Sequence, residues 1–154
     1  MQTQISNFIH HENELLDQRK YSEWVDLFAE DGVYWVPGVD TADPSGSVNL
    51  IYDTKPRLQE RLLRMDGRMF WAQQPPSLMT RLIGNIQVEG GPDQPAARAK
   101  LILVEFRRGK QRMLSGTVYY TLRRCETKPA YLIASKKVEL IQADQPFDNL
   151  TYLV

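Results

Sequence analysis

Residues 80–89 read TRLIGNIQVE, and here the period of the chain changes from 3.6 to 2. Leu82, Gly84, Ile86 and Val88 alternate with Arg81, Asn85, Gln87 and Glu89, the pattern of a strand with one covered face. A turn over residues 89–95 (EGGPDQP) follows, and residues 98–107 form a second strand, apolar on both faces at its centre. Arg108-Gly109-Lys110 is the tight connection of a hairpin. Leu114, Gly116, Val118, Tyr120 and Leu122 mark one face of a third strand. Residues 131–142 are a fourth, with Leu132, Ala134, Val138 and Leu140 expected to point inward.

Upstream of this stretch the chain reads as helices. Ile5, Phe8, Ile9, Leu15 and Leu16 fall on one stripe at helical spacing, and Glu12 sits in the middle of it. Ser22 is expected to cap a second, shorter helix with Trp24, Leu27 and Phe28 on its apolar face, stopped by Asp31-Gly32. Residues 33–36 (VYWV) are a strand ended by Pro37-Gly38, residues 40–47 a polar loop, and residues 48–52 a short strand. Asp53 or Thr54 is expected to cap a third helix with Pro56 in its first turn and Leu58, Leu62, Met65 and Met69 as its buried stripe. Pro75-Pro76 excludes regular helix over residues 71–79.

Helices first and long consecutive strands last mean an α+β fold. Strands of ten or more residues curl, because sheets twist. The expectation is a curved antiparallel (mixed) sheet forming a cone closed by about three N-terminal helices. Such a cone either holds a small-molecule pocket or presents its sheet to a partner. The 154 residues, 42% hydrophobic and 25% charged, suit a single domain over residues 1–154 that needs no disulfide or metal to fold.

Charge and composition exclude several functions. Nineteen basic and nineteen acidic residues cancel, which argues against nucleic acid as the partner. The longest apolar runs are about four residues, far short of a membrane span of ~20. The N-terminus has neither a basic start nor an apolar run of signal-peptide type, and one cysteine suits a reducing compartment, so the expected location is the cytoplasm.

Few residues offer chemistry. His10 and His11 are the only histidines; as neighbours on a helix they point about 100° apart and cannot bind one metal together. Cys125 follows Arg123-Arg124, which favours a thiolate, but no histidine lies near it in sequence to act as its base. The expected set of metal, cofactor-binding and catalytic residues in this chain is therefore empty. Glu12 stands out, because a carboxylate on a core-facing stripe must be paired or neutralised. Arg81, Asn85, Tyr119 or Lys136 are candidates to meet it across the sheet, as a tie between helix and sheet or as a pocket acid of raised pKa. Arg57, Arg61, Arg64 and Arg68 form a second stripe on the third helix, either solvated or facing a partner. Residues 10–31 hold seven acids and two bases, and residues 98–112 six bases and one acid, a polarity that suits docking to another subunit.

Several segments then resemble one family, in order along nearly the whole chain. They are residues 9–17 (IHHENELLD), 21–31 (YSEWVDLFAED), 34–37 (YWVP), 50–53 (LIYD) ahead of Arg57, Leu58 and Arg61, 80–88 (TRLIGNIQV), 134–140 (ASKKVEL) and 149–154 (NLTYLV). They resemble the small, β subunit of aromatic-ring-hydroxylating dioxygenases. The resemblance implies a cone-shaped α+β fold shared with nuclear transport factor 2 (NTF2), scytalone dehydratase and ketosteroid isomerase. It implies a mainly structural subunit in a three-plus-three hexamer with a larger α subunit, and β–β self-association. The α subunit of such an enzyme carries a Rieske [2Fe–2S] cluster and a mononuclear iron. Electrons reach it from NADH or NADPH through a reductase, and the product is a cis-dihydrodiol or a hydroxylated aromatic. One position departs from the pattern. Related sequences often have Arg-His where this chain has Arg81-Leu82, and in the dehydratase relatives a histidine near this point is catalytic.

The reading is therefore a non-catalytic structural subunit of a multicomponent ring-hydroxylating dioxygenase. The alternative is a stand-alone cone-fold dehydratase or isomerase using Glu12, Asp31, Tyr34 or Tyr52 as acid–base groups. Leu150 to Val154 and the arginine stripe are the candidate anchors for a partner.

Overall fold

The computed structural model describes residues 1–39, 41–46, 48–67, 77–127, 129–144 and 153–154, with residues 65–67 described by their backbone alone. Helix α1 spans Gln2–Asp17, α2 Tyr21–Asp26 and α3 Lys55–Gly67. The strands are β1 Phe28–Pro37, β2 Asn49–Thr54, β3 Leu78–Gly90, β4 Pro95–Arg107, β5 Lys110–Arg124 and β6 Tyr131–Leu140.

The six strands form one curved sheet in the order β2-β1-β6-β5-β4-β3. All neighbours are antiparallel except β1 and β6, which run parallel, so the sheet is mixed. Helix α1 packs against β3, α3 against β1 and β2, and α2 between them, which places the core inside the curve. The α1 stripe is buried as expected: Ile5, Ile9 and Leu16 are wholly closed to solvent. Each such side chain contributes roughly 1.5–3 kcal/mol of transfer free energy. The inward face of β5 is also as expected, with Leu114, Val118, Tyr120 and Leu122 all buried. Gly116 lies on that face; a Cβ there would stand 2.1 Å from the Glu139 carbonyl oxygen on β6.

Several expectations need correction. Helix α2 begins at Tyr21 after Lys20, with no side-chain cap, and ends at Asp26. Phe28 is a strand residue, paired with Ile133 of β6, while the Ile133 N–H donates to the Leu27 carbonyl at 2.8 Å. Asp31-Gly32 does not stop a helix; it lies in an irregularity of β1 between Phe28 and Val33. The pull of a parallel partner far along the chain overrides the helical spacing of Trp24, Leu27 and Phe28. Strand β2 runs through Asp53 and Thr54 directly into α3, so Thr54, one of the two expected caps, holds the position before the helix, and Pro56 sits in its first turn as expected. Residues 141–142 lie beyond β6, in a turn. Met69 and residues 71–76 lie outside the described residues, as does the side chain of Met65.

Two irregularities reverse which side chains face the core. Strand β3 has a bulge between Gly84 and Gln87, where Asn85 takes a φ of 49°. Before it Arg81 and Ile83 point inward; after it Ile86 and Val88 do. Leu82, expected inside, is thus on the outer face and 67% exposed. The register between β5 and β6 shifts at Thr121/Leu122. Tyr131 and Ile133, then Lys136, Val138 and Leu140, are the buried residues of β6, and Leu132 and Ala134 lie on the other face. A bulge inserts one residue and flips every side chain beyond it, an effect a period-2 reading cannot detect.

Candidate functional site

The widest fully buried side chains gather inside the cone: Trp24, Tyr34, Tyr120, Phe28 and Lys136. Glu12 reaches this cluster from α1 and is wholly buried. Its Oε1 accepts from Lys136 Nζ at 2.7 Å and from Trp24 Nε1 at 2.5 Å. Its Oε2 accepts from the Tyr120 hydroxyl at 3.0 Å and from Asn13 Nδ2 at 2.9 Å. Tyr120 and Lys136 are register partners on β5 and β6, so the sheet presents both to α1 at one level. Lys136 Nζ also lies 5.6 Å from the Trp24 ring centre and 5.8 Å from that of Tyr34.

Burial sets the electrostatics of this cluster. Loss of solvent pulls the Lys136 ammonium below the ordinary lysine value, against the opposing attraction of Glu12. Burial pushes the Tyr120 hydroxyl well above its ordinary value, and the Glu12 charge adds to the shift. Tyr34 is raised too, chiefly by burial. Each Glu12 oxygen accepts two hydrogen bonds and the charge is met by Lys136. A carboxylate engaged on every side holds elements together: here α1, α2, β5 and β6.

Of the four partners expected for Glu12, the structure supplies Lys136. Arg81 binds Asp17 instead, with Nη1 2.5 Å from Oδ1 and the Arg81 backbone N–H 2.9 Å from Oδ2. Asn85 is exposed at the β3 bulge. Tyr119 is on the outer face, its ring 5.5 Å from Lys137 Nζ. Trp24 and Tyr120 were not among the expected partners, since aromatic residues at core spacing read as apolar packing. The available signal was their polar tips, which must find partners when buried.

A second set of contacts closes the cone. Arg81 Nη2 donates to the Leu153 carbonyl at 2.5 Å. The Tyr34 hydroxyl donates to the Val154 carbonyl oxygen at 2.8 Å and accepts from the Val154 N–H at 3.0 Å. Leu153 and Val154 are buried against this chain's own interior, so they are not the exposed anchor expected of them. Residues 150–152 lie outside the described residues.

The remaining candidates stand apart. Asp31 is exposed and forms a two-pronged pair with Arg123, at 2.5 and 2.8 Å, which lowers its pKa. Tyr52 is half exposed beside Trp35, with ring centres 6.3 Å apart. Neither meets Glu12 or Tyr34, so the four acid–base groups of the dehydratase reading do not converge. His10 and His11 are both exposed on α1. Cys125 follows β5, its Sγ 3.2 Å from the Thr127 hydroxyl, and that contact lowers the thiol pKa. In the arginine stripe, Arg61 Nε binds Asp53 at 2.5 Å, Arg57 and Arg64 are exposed, and Arg68 lies outside the described residues. Among the described residues no group of three or more His, Cys, Asp and Glu is placed to hold a metal ion, and no helix is long and apolar enough to cross a membrane.

The chain is similar over most of its length to β subunits of known dioxygenases. It is 30% identical over 166 aligned residues to the 3-phenylpropionate/cinnamic acid dioxygenase subunit beta of Photorhabdus laumondii, covering 97% of this chain and 89% of that one. Its fold matches the crystal structure of the benzoate 1,2-dioxygenase beta subunit from Burkholderia mallei, with a TM-score of 0.79, 23% identity and coverage of 97% and 95% of the two chains. It also matches an NTF2-like protein with a cystatin-like fold from Novosphingobium aromaticivorans, with a TM-score of 0.65, 17% identity and coverage of 93% and 83%. The fold is thus the NTF2-like cone. The family model described as the ring hydroxylating beta subunit matches residues 11–144. Across that span, which takes in both ends of the Glu12–Lys136 tie, the chain belongs to the ring-hydroxylating dioxygenase β (small) subunit family.

Proposed function

We propose that this chain acts as a single-domain, non-catalytic β subunit of a multicomponent ring-hydroxylating dioxygenase, supporting a larger α subunit that carries the iron. The family match over residues 11–144 is the observation that carries this reading. The donor set of the chain supports it. A Rieske centre takes two Cys and two His, and this sequence has one Cys. A mononuclear iron of the oxygenase type takes two His and a carboxylate, while His10 and His11 are adjacent and diverge on α1. The residues present therefore do not fit either iron group, and no step of the oxygenation is assigned to this chain. Its contribution is a cone whose helices and sheet are tied together through Glu12 and Lys136.

The proposed assembly is an α3β3 hexamer in the cytoplasm, with contacts between β subunits and electrons from NADH or NADPH by way of a reductase. Aromatic compounds are the proposed substrate class, and their pocket belongs to the α subunit. Co-expression with the α subunit of a ring-hydroxylating dioxygenase from the same source, followed by size-exclusion chromatography with light scattering, tests this. The expected result is one hetero-oligomeric peak whose iron belongs to the larger chain. A monomer that ignores the partner, or that dehydrates or isomerises a substrate unaided, would overturn the reading.

A further inference from the structure

The groups that hold Leu153 and Val154 fit a different ligand better than they fit a peptide. The Arg81 side chain is wholly buried. Its Nη1 is engaged by Asp17, which fixes the plane of the guanidinium. The opposite edge carries Nη2 and Nε. Only Nη2 is used there, by the Leu153 carbonyl, and Nε is buried with no hydrogen-bond partner among the described residues. A single carbonyl oxygen cannot meet both N–H groups in line, whereas a carboxylate meets such an edge with two parallel, charge-assisted bonds. An orphaned buried donor is costly, so native proteins rarely keep one without a reason. The Tyr34 hydroxyl, already both donor and acceptor to Val154, is a further polar group of the same site. Leu153 and Val154, held by their backbone at these groups, are 1% and 0% exposed.

We propose that the Nε/Nη2 edge of Arg81, with the Tyr34 hydroxyl, is a binding site for a small apolar carboxylate, and that Leu153 and Val154 fill it as an internal plug. The carboxylate takes both N–H groups of the edge, and its branched aliphatic or aromatic body takes the space of the Leu153 side chain. This site lies in the β chain's own cone and goes beyond the supporting role proposed above. Its presence or absence leaves that role intact.

The test uses the full chain with the plug loosened by Leu153→Gly and Val154→Gly together. N-acetyl-L-leucine is the probe, because it pairs a leucine side chain with a carboxylate where the Leu153 carbonyl stands. N-acetyl-L-leucinamide is its neutral control. Calorimetric titration should show saturable binding of the acid to the double variant, at least tenfold tighter than binding of the amide and at least tenfold tighter than binding of the acid to the unaltered chain. Arg81→Lys in the same background keeps a cation beside Asp17 but removes the two-pronged edge, and should abolish the preference for acid over amide. A folded double variant that binds neither compound, or binds both equally, overturns the proposal. So does an unaltered chain that binds the acid as well as the double variant does, because the plug would then not occupy the site. If the double variant is unfolded when purified, the acid should restore a cooperative melting transition that rises with its concentration, and the amide should not. Failure of the acid to do so also overturns the proposal.

Discussion

Lys136 Nζ lies 2.7 Å from Glu12 Oε1, with both side chains shut away from solvent and the two residues 124 positions apart in sequence. The first helix and the last strand of the sheet are thereby joined by charge at the centre of the core. A buried pair of this kind contributes little net stability relative to an apolar pair, because both ions were taken out of water, but breaking it leaves one charge unmet.

Glu12→Ala should therefore destabilise the chain by about 3–5 kcal/mol, since Lys136, Trp24 and Tyr120 all lose their acceptor. Glu12→Gln combined with Lys136→Met removes both charges; the glutamine oxygen can still accept from Trp24 Nε1, while its NH2 donates to the Tyr120 hydroxyl oxygen. The double change should recover most of that loss in urea denaturation. If Glu12→Ala melted normally while turnover of the assembled enzyme collapsed, Glu12 would be a functional acid and not a tie.

Alkaline pH should destabilise the fold, and the sign follows from two opposing shifts. Lys136 is lowered from 10.5 in the folded state, so below 10.5 the unfolded chain holds the proton more firmly and stability rises with pH. Tyr34 and Tyr120 are raised from 10.0, so above 10.0 the unfolded chain loses protons that the folded chain keeps, and stability falls. Above 10.5 the lysine contribution is constant and the tyrosines decide. Urea midpoints should drop over the next pH unit or so, and Tyr34→Phe should make the drop shallower. A midpoint that held steady or climbed there would contradict the assignment.

Asp31→Asn and Tyr52→Phe should leave the turnover of the assembled enzyme unchanged. Asp31 is an exposed partner of Arg123, and Tyr52 an outer-face ring beside Trp35. A loss of tenfold or more from either substitution, with normal assembly on size exclusion, would restore an acid–base role to this chain.

Arg61 and Arg64 should respond differently to charge reversal, although both belong to one stripe on α3. Arg61→Glu breaks the 2.5 Å contact with Asp53 and sets two carboxylates together, which should cost about 1 kcal/mol after allowance for its partial exposure. Arg64 is exposed, and Arg64→Glu should leave the melting temperature of the isolated chain unchanged. If its face meets a partner, the same change should weaken association measurably by light scattering. Weak association caused by Arg61→Glu alone, in a chain that melts normally, would mean that the Asp53 contact is not its main role.

The sequence by itself determined the α+β order, the α1 stripe with Glu12 in its middle and the inward face of β5. These are local properties: helical spacing repeats within a turn or two, and Leu114 to Leu122 alternate without interruption. The family segments were legible for the same reason, as short runs in a fixed order. Only the tertiary structure decided what Glu12 meets, because Lys136 stands on β6, 124 positions away in sequence. It also decided that Arg81 faces the core while Leu82 faces out. That outcome depends on the distance of each residue from the bulge at Asn85, and one inserted residue reverses a strand's two faces without altering its composition. The burial of Leu153 and Val154 was equally hidden, since it rests on Tyr34 and Arg81, two groups more than seventy residues away in sequence.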